Sequence, residues 1–289
     1  MTPQRVGLHH PCLRPFLAAA RNTAPPDEDH VVVEGTWAHE QLLAARTPVQ
    51  TFLWCPELVR TRAARRCADV LRARAATAYE IGPRVLTRLC GRARPDGLLA
   101  LARLPRRTAA ELEFGSSALV VVADGIEYAG NLGTLVRTAD ACSADCVVLV
   151  RRQVRPNHPR VFVASRGTVL TVPLVEFPDP AAASAWLDRC GFTVVVAEPG
   201  ATRDYRAGDL SGPRTAVVVG SEGRGVSSAW YAARVRPVSI PMFGTADSLN
   251  VSVSAALLLY EARRSTPGGG PRTDASCRSP RTGGAAARR

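Results

Sequence analysis

Two hydrophobic regimes divide the chain. Between residues 30 and 104 short apolar runs are interleaved with amphipathic and strongly charged stretches. The run "VVVEG" (31–35) predicts a strand, and "TWAHEQLLAAR" predicts a helix with Trp37, Leu42 and Leu43 on its apolar face. "VQTFLWC" predicts a strand, "RTRAARRCADVLRARA" a very basic helix, and "LLALARL" (98–104) a closing strand. Together these predict a small α/β unit over 28–105. From residue 118 onward the strands become continuous Val-rich runs, at 118–124, 146–151, 192–198, 215–220 and 237–242. Helical periodicity separates them, at about 131–143, 159–166, 180–190, 227–234 and 250–264. Uninterrupted apolar strands joined by helical crossovers predict a parallel sheet covered on both faces. Residues 1–27 are expected to form a flexible arm, 106–117 a linker, and the Gly/Pro/Arg-rich residues 265–289 a disordered tail.

Composition narrows the chemistry. The 289 residues carry a formal charge of +12, and all 37 basic residues are Arg. Coding bias in a G+C-rich genome accounts for Arg in place of Lys, but not for the excess of positive charge. A polyanionic partner, nucleic acid first, is therefore expected. The absence of Lys excludes a P-loop lysine, a Schiff base and a Ser-Lys dyad. The five histidines, His9, His10, His30, His39 and His158, lack metal or triad spacing, and the eight cysteines lack a CxxC pair. No metal is expected. Reduced, mostly buried thiols fit a cytoplasmic protein, and no apolar run is long enough for a signal peptide or a membrane span.

Ligands of open parallel sheets bind beyond the carboxyl ends of strands. Three polar loops fall there. In "DGIEYAGNLGTLVRTADAC" (124–142), Leu132, Leu135, Val136 and Ala139 mark a buried helix face. Asn131 sits at the helix start. Arg137 is expected half-buried at the edge of that face, with Gly133 leaving room for it. The simpler alternative makes Asn131 a helix cap and pairs Arg137 with Asp140 on the surface. In "VVVGSEGRGVSSAW" (217–230), Glu222 leaves a strand among glycines. In "VSIPMFGTA" followed by "DSLNVSVSAALLLYEARR" (247–264), Ser248 and Asn250 precede a strongly apolar helix.

The ordered set of Asn-x-Gly-x3-Arg, Gly-Ser-Glu-x2-Gly, and Ile-Pro-Met with Ser-Leu-Asn-Val-Ser-Val-Ser resembles the SpoU/TrmH branch of the SPOUT methyltransferases, over about residues 118–264. Residues 30–104 look like that family's smaller N-terminal α/β substrate-binding domain, related to a ribosomal-protein RNA-binding fold. The resemblance implies an α/β trefoil-knot methyltransferase domain, a homodimer through that domain, and S-adenosylmethionine as methyl donor. It implies methylation of a ribose 2′-hydroxyl in RNA, with rRNA the expected target and tRNA the alternative. A non-catalytic RNA-binding relative, and a methylase of a small natural product, are the alternatives of other classes. Carried over by motif, the cofactor contacts fall on Ala197, Gly220, Ser221, Ile240, Met242, Leu249 and Asn250. The catalytic group becomes Arg137 with Asn131, Glu222, Ser248 and Asn250. Ser248 and Asn250 are expected to be satisfied by cofactor, by Glu222 and by knot backbone. A guanidinium keeps its proton at ordinary pH, so Arg137 is better suited to stabilise a developing alkoxide and anchor a phosphate than to act as a base. Arg166, in "ASRGTVLTVP", matches an Arg of thiostrepton-resistance-type rRNA methylases and is assigned to substrate anchoring. Arg60, Arg62, Arg65, Arg66, Arg72 and Arg74 crowd the basic helix, and Arg62, Arg65 and Arg66 are expected to contact RNA. A merely solvated charged face is the competing account of that helix.

Overall fold

The computed structural model describes residues 4–23, 25, 29–91, 94–207 and 210–265; the expected tail beyond Ser265 lies outside the described residues. Two sheets account for the fold. The first contains β1 (Arg5–Val6), β2 (His30–Glu34), β3 (Val49–Trp54), β4 (Thr77–Ile81) and β5 (Leu98–Arg103), in the order β1-β4-β3-β5-β2. Its helices are α1 (Arg14–Ala20), α2 (Thr36–Ala44), α3 (Arg62–Arg74) and α4 (Pro83–Leu89). β1, β4 and β3 run parallel, whereas β5 lies antiparallel between β3 and β2.

Three features here depart from the sequence reading. The segment expected as a loose arm instead supplies β1 and α1, and Val6, Leu13 and Phe16 are buried. Apolar burial of "PFLAAA" against Ile81, Leu86 and Leu99 outweighs the low propensity of so short a helix. β4 and α4 were not predicted. The expected linker is also held: Phe114 packs edge-on against Phe192 at 4.9 Å. The Arg214 guanidinium donates to the carbonyls of Phe114, Gly115 and Cys190.

The second sheet is entirely parallel. It contains β6 (Ala118–Asp124), β7 (Cys146–Val150), β8 (Leu174–Phe177), β9 (Thr193–Ala197), β10 (Arg214–Gly220) and β11 (Val235–Val238). The order is β11-β9-β10-β6-β7-β8. β8 was not predicted. The last strand ends earlier than the expected 237–242, so "IPM" lies in the following loop. Pro237 is tolerated because β11 is an edge strand. The expected helix at 227–234 is a short 3-10 turn, Ser228–Ala232, capped by Ser227.

Helices α5 (Ala129–Ala141), α6 (Pro159–Ser165), α7 (Pro180–Arg189) and α8 (Val251–Ser265) complete this unit. Leu132, Leu135, Val136 and Ala139 are buried, as their spacing predicts. Gly133 lies on the same buried face. A Cβ there would stand 2.6 Å from the Val161 carbonyl and 2.7 Å from Ala164 Cβ, so the glycine admits α6 and does not make room for Arg137. The chain leaves β6 toward β7 and β8, then returns to the other side for β9 and β10. The order therefore switches between β6 and β10, which is where an open sheet presents a ligand crevice. Among the described residues no helix is long and apolar enough to cross a membrane.

Candidate active site

The carboxyl ends of β6 and β10 and the N-terminus of α8 meet at this switch point. Glu222 stands at the tip of a tight turn closed by reciprocal Ser221–Gly225 backbone hydrogen bonds of 2.9 and 3.0 Å, with Gly225 at φ +65°. Arg224 N donates to Ser221 Oγ inside the turn. A side chain on Gly220 would collide with the Gly225–Val226 peptide, so glycine there is a condition of the turn.

Three side chains from the three loops form one directed chain of hydrogen bonds. Glu222 Oε1 accepts from Asn131 Nδ2 at 2.6 Å, and Glu222 Oε2 accepts from Glu127 N at 3.2 Å. Asn131 Oδ1 accepts from Asn250 Nδ2 at 3.1 Å, and Asn250 Oδ1 accepts from Ser252 N at 2.9 Å. An ionised carboxylate only accepts, so Glu222 fixes which end of Asn131 faces it, and Asn131 in turn fixes Asn250. Asn250 thereby caps α8. The buried Ser252 adds a hydroxyl bond to the Asn131 carbonyl at 3.0 Å.

A second polar node lies beneath. Asp124, at the end of β6, is fully buried. Its Oδ1 accepts from Arg151 Nε at 2.8 Å, and its Oδ2 from Ser227 N at 2.8 Å and Trp230 Nε1 at 3.2 Å. The carboxylate raises the Arg151 pKa and ties the segment after β10 to β6 and β7. Sequence reasoning missed Asp124 and gave Ser252 no role beyond a polar group in need of a partner. The signal for Asp124 was an acid closing the otherwise apolar "ALVVVAD"; Ser252 had only its proximity to Asn250.

Strand register lines up the residues expected to hold the cofactor. Val196 is abreast of Val218, and Ala197 of Val238, so Ala197, Gly220 and the approach to Ile240 share one edge. Ala197 and Ile240 pack partly buried against the core, Ser221 is buried, and Met242 is half-buried. Backbone groups of 240–249 make no hydrogen bonds within the described chain, which leaves amides and carbonyls for a bound group. Half-buried apolar side chains beside free backbone polar groups suit an adenosine moiety.

Other expected residues lie outside this constellation. Arg137 is exposed on α5, not half-buried, and no hydrogen bond joins it to Asn131, Glu222 or Asn250. Ser248 is exposed and reaches only Asp247, at 3.3 Å; Asn250 is satisfied by Asn131 and not by Glu222. Leu249 is exposed. Arg166 caps α6 with its guanidinium over the Trp37 ring. Arg62, Arg65 and Arg66 are exposed on α3 in the first sheet's layer, and Arg66 reaches Glu40 at 3.7 Å. Tyr231 donates to Glu198 at 2.7 Å just past β9. Burial and that carboxylate push its pKa up to about 12, so it stays protonated at neutral pH.

A parallel sheet whose polar loops lock together at its switch point defines an α/β ligand-binding enzyme domain. The sequence profile of the SpoU rRNA methylase family matches residues 118–260. A Synechocystis protein named an uncharacterised tRNA/rRNA methyltransferase is 30% identical over 206 residues, spanning 70% of this chain and 74% of its own. A Staphylococcus haemolyticus protein, provisionally named a TrmH family tRNA/rRNA methyltransferase, is 37% identical over 50% of this chain, a match spanning only 58% of its own length. The crystal structure of an RNA 2′-O ribose methyltransferase superposes with a TM-score of 0.76 at 32% identity, covering 91% of this chain and 98% of that one. The AdoMet-bound rRNA methyltransferase of Sinorhizobium meliloti shares the fold, with a TM-score of 0.81 at 23% identity, over 90% of this chain and 97% of its own. The chain belongs to the SpoU rRNA methylase family, as a methyltransferase of the SpoU/TrmH type.

Proposed function

We propose that the protein transfers a methyl group from S-adenosylmethionine to a ribose 2′-hydroxyl in RNA, with ribosomal RNA as its substrate and the cytoplasm as its place of work. The observation that carries this reading is the Glu222–Asn131–Asn250 chain, which joins all three motif loops at the switch point. Charge supports RNA as partner, since +12 carried by arginine suits phosphate. Ala197, Gly220, Ser221, Ile240, Met242, Leu249 and the backbone around Asn250 would hold the cofactor, which supplies an electrophilic methyl on a sulfonium. Arg137 has an exposed guanidinium that can meet the phosphate beside the target ribose and stabilise negative charge growing on the attacking oxygen. The hydroxyl proton leaves to water: neither Arg137 nor Tyr231 can take it, and both Glu222 oxygens already accept hydrogen bonds from Asn131 and Glu127. Glu222, Asn131 and Asn250 position the loops, and Ser248 sits where the last loop enters α8. Arg166 on the seam and Arg62 and Arg65 on α3 present charge for further phosphates.

The return of the chain after β11 to pack α8 against α5 and β10 supports a trefoil knot in this domain. Val253, Leu257 and Tyr260 on the open face of α8 support a homodimer through it.

The test is incubation with methyl-labelled S-adenosylmethionine and either ribosomal RNA or tRNA from cells lacking this gene, followed by nucleoside analysis. Label should appear as a 2′-O-methylnucleoside in rRNA. Arg137→Ala should lose about 10²–10³ in rate while binding S-adenosylhomocysteine within a few-fold of the unaltered protein. Label on a base, or in tRNA alone, would overturn the proposal.

A further inference from the structure

We propose that Trp37 and Arg166 form a nucleobase subsite on the seam between the two sheets. In it, an unpaired RNA base stacks on the open indole surface and Arg166 meets the adjoining phosphate. This deepens the RNA reading above and rests on it. Of the four tryptophans, Trp54, Trp186 and Trp230 are buried, whereas Trp37 is 43% exposed. Its mounting is firm. The neighbouring Thr36 gives both its backbone N–H and its hydroxyl to Asp96, at 2.5 and 2.7 Å.

Across the seam, Gly167 sits against the ring; a Cβ there would stand 3.4 Å from Trp37 Cζ3. The Arg166 guanidinium carbon lies 5.8 Å from the ring centroid. Arg166 itself ends α6 in the left-handed region, at φ +55°, followed by Gly167 at φ +81°. Glycine or asparagine normally fills such a helix-ending position. An arginine there accepts backbone strain, and strain of this kind collects at functional sites. Among the described residues no carboxylate pairs with Arg166, so its charge is available. A part-exposed aromatic ring beside a guanidinium that no carboxylate neutralises is the chemistry that holds single-stranded nucleic acid, by stacking and by charge together.

Tryptophan emission reads this subsite directly, because only Trp37 is open. A short single-stranded RNA of mixed sequence should quench the emission of the full-length protein, and inorganic polyphosphate should bind without quenching. Trp37→Phe should abolish the quench yet keep RNA affinity, by anisotropy, within a few-fold. Trp37→Ala should weaken RNA binding by about 5- to 150-fold with S-adenosylhomocysteine affinity unchanged, although lost packing across the seam lowers the melting temperature. RNA binding without quench, equal quenching by polyphosphate, or wild-type affinity in Trp37→Ala would overturn the subsite and leave the RNA reading intact. No RNA binding at low salt would overturn both.

Discussion

Replacing Asn250 by Asp separates the two jobs this side chain performs. Asn250 accepts from Ser252 N as the cap of α8, and donates to Asn131 as a link of the loop chain. Alanine removes both. Loss of a cap is worth about 1 kcal/mol, and the exposed amide–amide bond adds roughly 0.5–1 kcal/mol. At roughly 2–4 °C per kcal/mol for a domain of this size, Asn250→Ala should lower the melting temperature by about 3–8 °C. Asp keeps the accepting oxygen, and a carboxylate at a helix N-terminus gains roughly 0.3–1 kcal/mol. It also sets a second acceptor against Asn131 Oδ1. Asn131 cannot turn to suit it, because its Nδ2 is held by the Glu222 carboxylate. Asn250→Asp should therefore melt within about 1 kcal/mol of the unaltered protein but spread the loops, and a displacement of about 1 Å at a reacting centre costs on the order of 10² in rate. Adding Glu222→Gln should rescue it. The introduced amide can accept from Glu127 N and donate to Asn131 Oδ1, which lets Asn131 turn and donate to the new carboxylate. Melting curves and methyl-transfer rates on the two singles and the double form a closed cycle. Full activity in Asn250→Asp, or a double variant no faster than the single, would refute a chain directed by Glu222.

Gly133→Ala should destabilise by a net of up to about 2 kcal/mol, because overpacking against α6, roughly 1–3 kcal/mol, outweighs the ~1 kcal/mol gain in helix propensity; denaturant unfolding would show it. His39 is buried, its Nδ1 donates to the Gly35 carbonyl at 2.8 Å, and desolvation lowers its pKa below the usual 6.5. The unfolded chain therefore binds the proton more readily, so stability should be complete above about pH 6.5 and fall as pH drops below it; His39→Phe should flatten that part of the melting-temperature profile. Replacing Arg62, Arg65 and Arg66 by Ser should flatten the salt dependence of RNA binding, by about 0.7–0.9 in log–log slope for every phosphate left without its arginine. Arg66 is partly occupied by Glu40, so the total should be nearer two phosphates than three, and an unchanged slope would move RNA binding off α3.

Much of the second sheet was legible because β6, β7 and β10 are buried on both faces and so read as unbroken Val runs. The face of α5 was legible from its period. Other elements carry no such signal. β4 is mostly half-buried, β8 has four residues, and β1 has two, so their stability comes from partners distant in sequence. The period placed Gly133 on the buried face, but only the path of α6 shows what fills the space beside it. The loops were legible as loops. Their coupling was not, since Asn131 meets Glu222 across 91 positions and Asn250 across 119, and nothing local says which polar groups will meet. Arg137 was expected to be half-buried because a residue at the edge of an amphipathic face can fall on either side of it.

The fastening between the two sheets gives the molecule the character of a caliper. Arg155 in the second unit holds the carbonyls of Asn22 and Pro25 and the Asn22 side chain, and Asn157 donates to the His30 carbonyl. These bonds, and the covered linker at Phe114, join the two units at the opening seen in this structure. A caliper of fixed opening selects by span: if RNA is gripped on the first sheet's arginines and methylated at the switch point, as proposed, only the nucleotide lying at the matching distance is presented. Slackening the clasp, by Arg155→Ala, should then blur which nucleotide is reached before it slows the reaction at any of them.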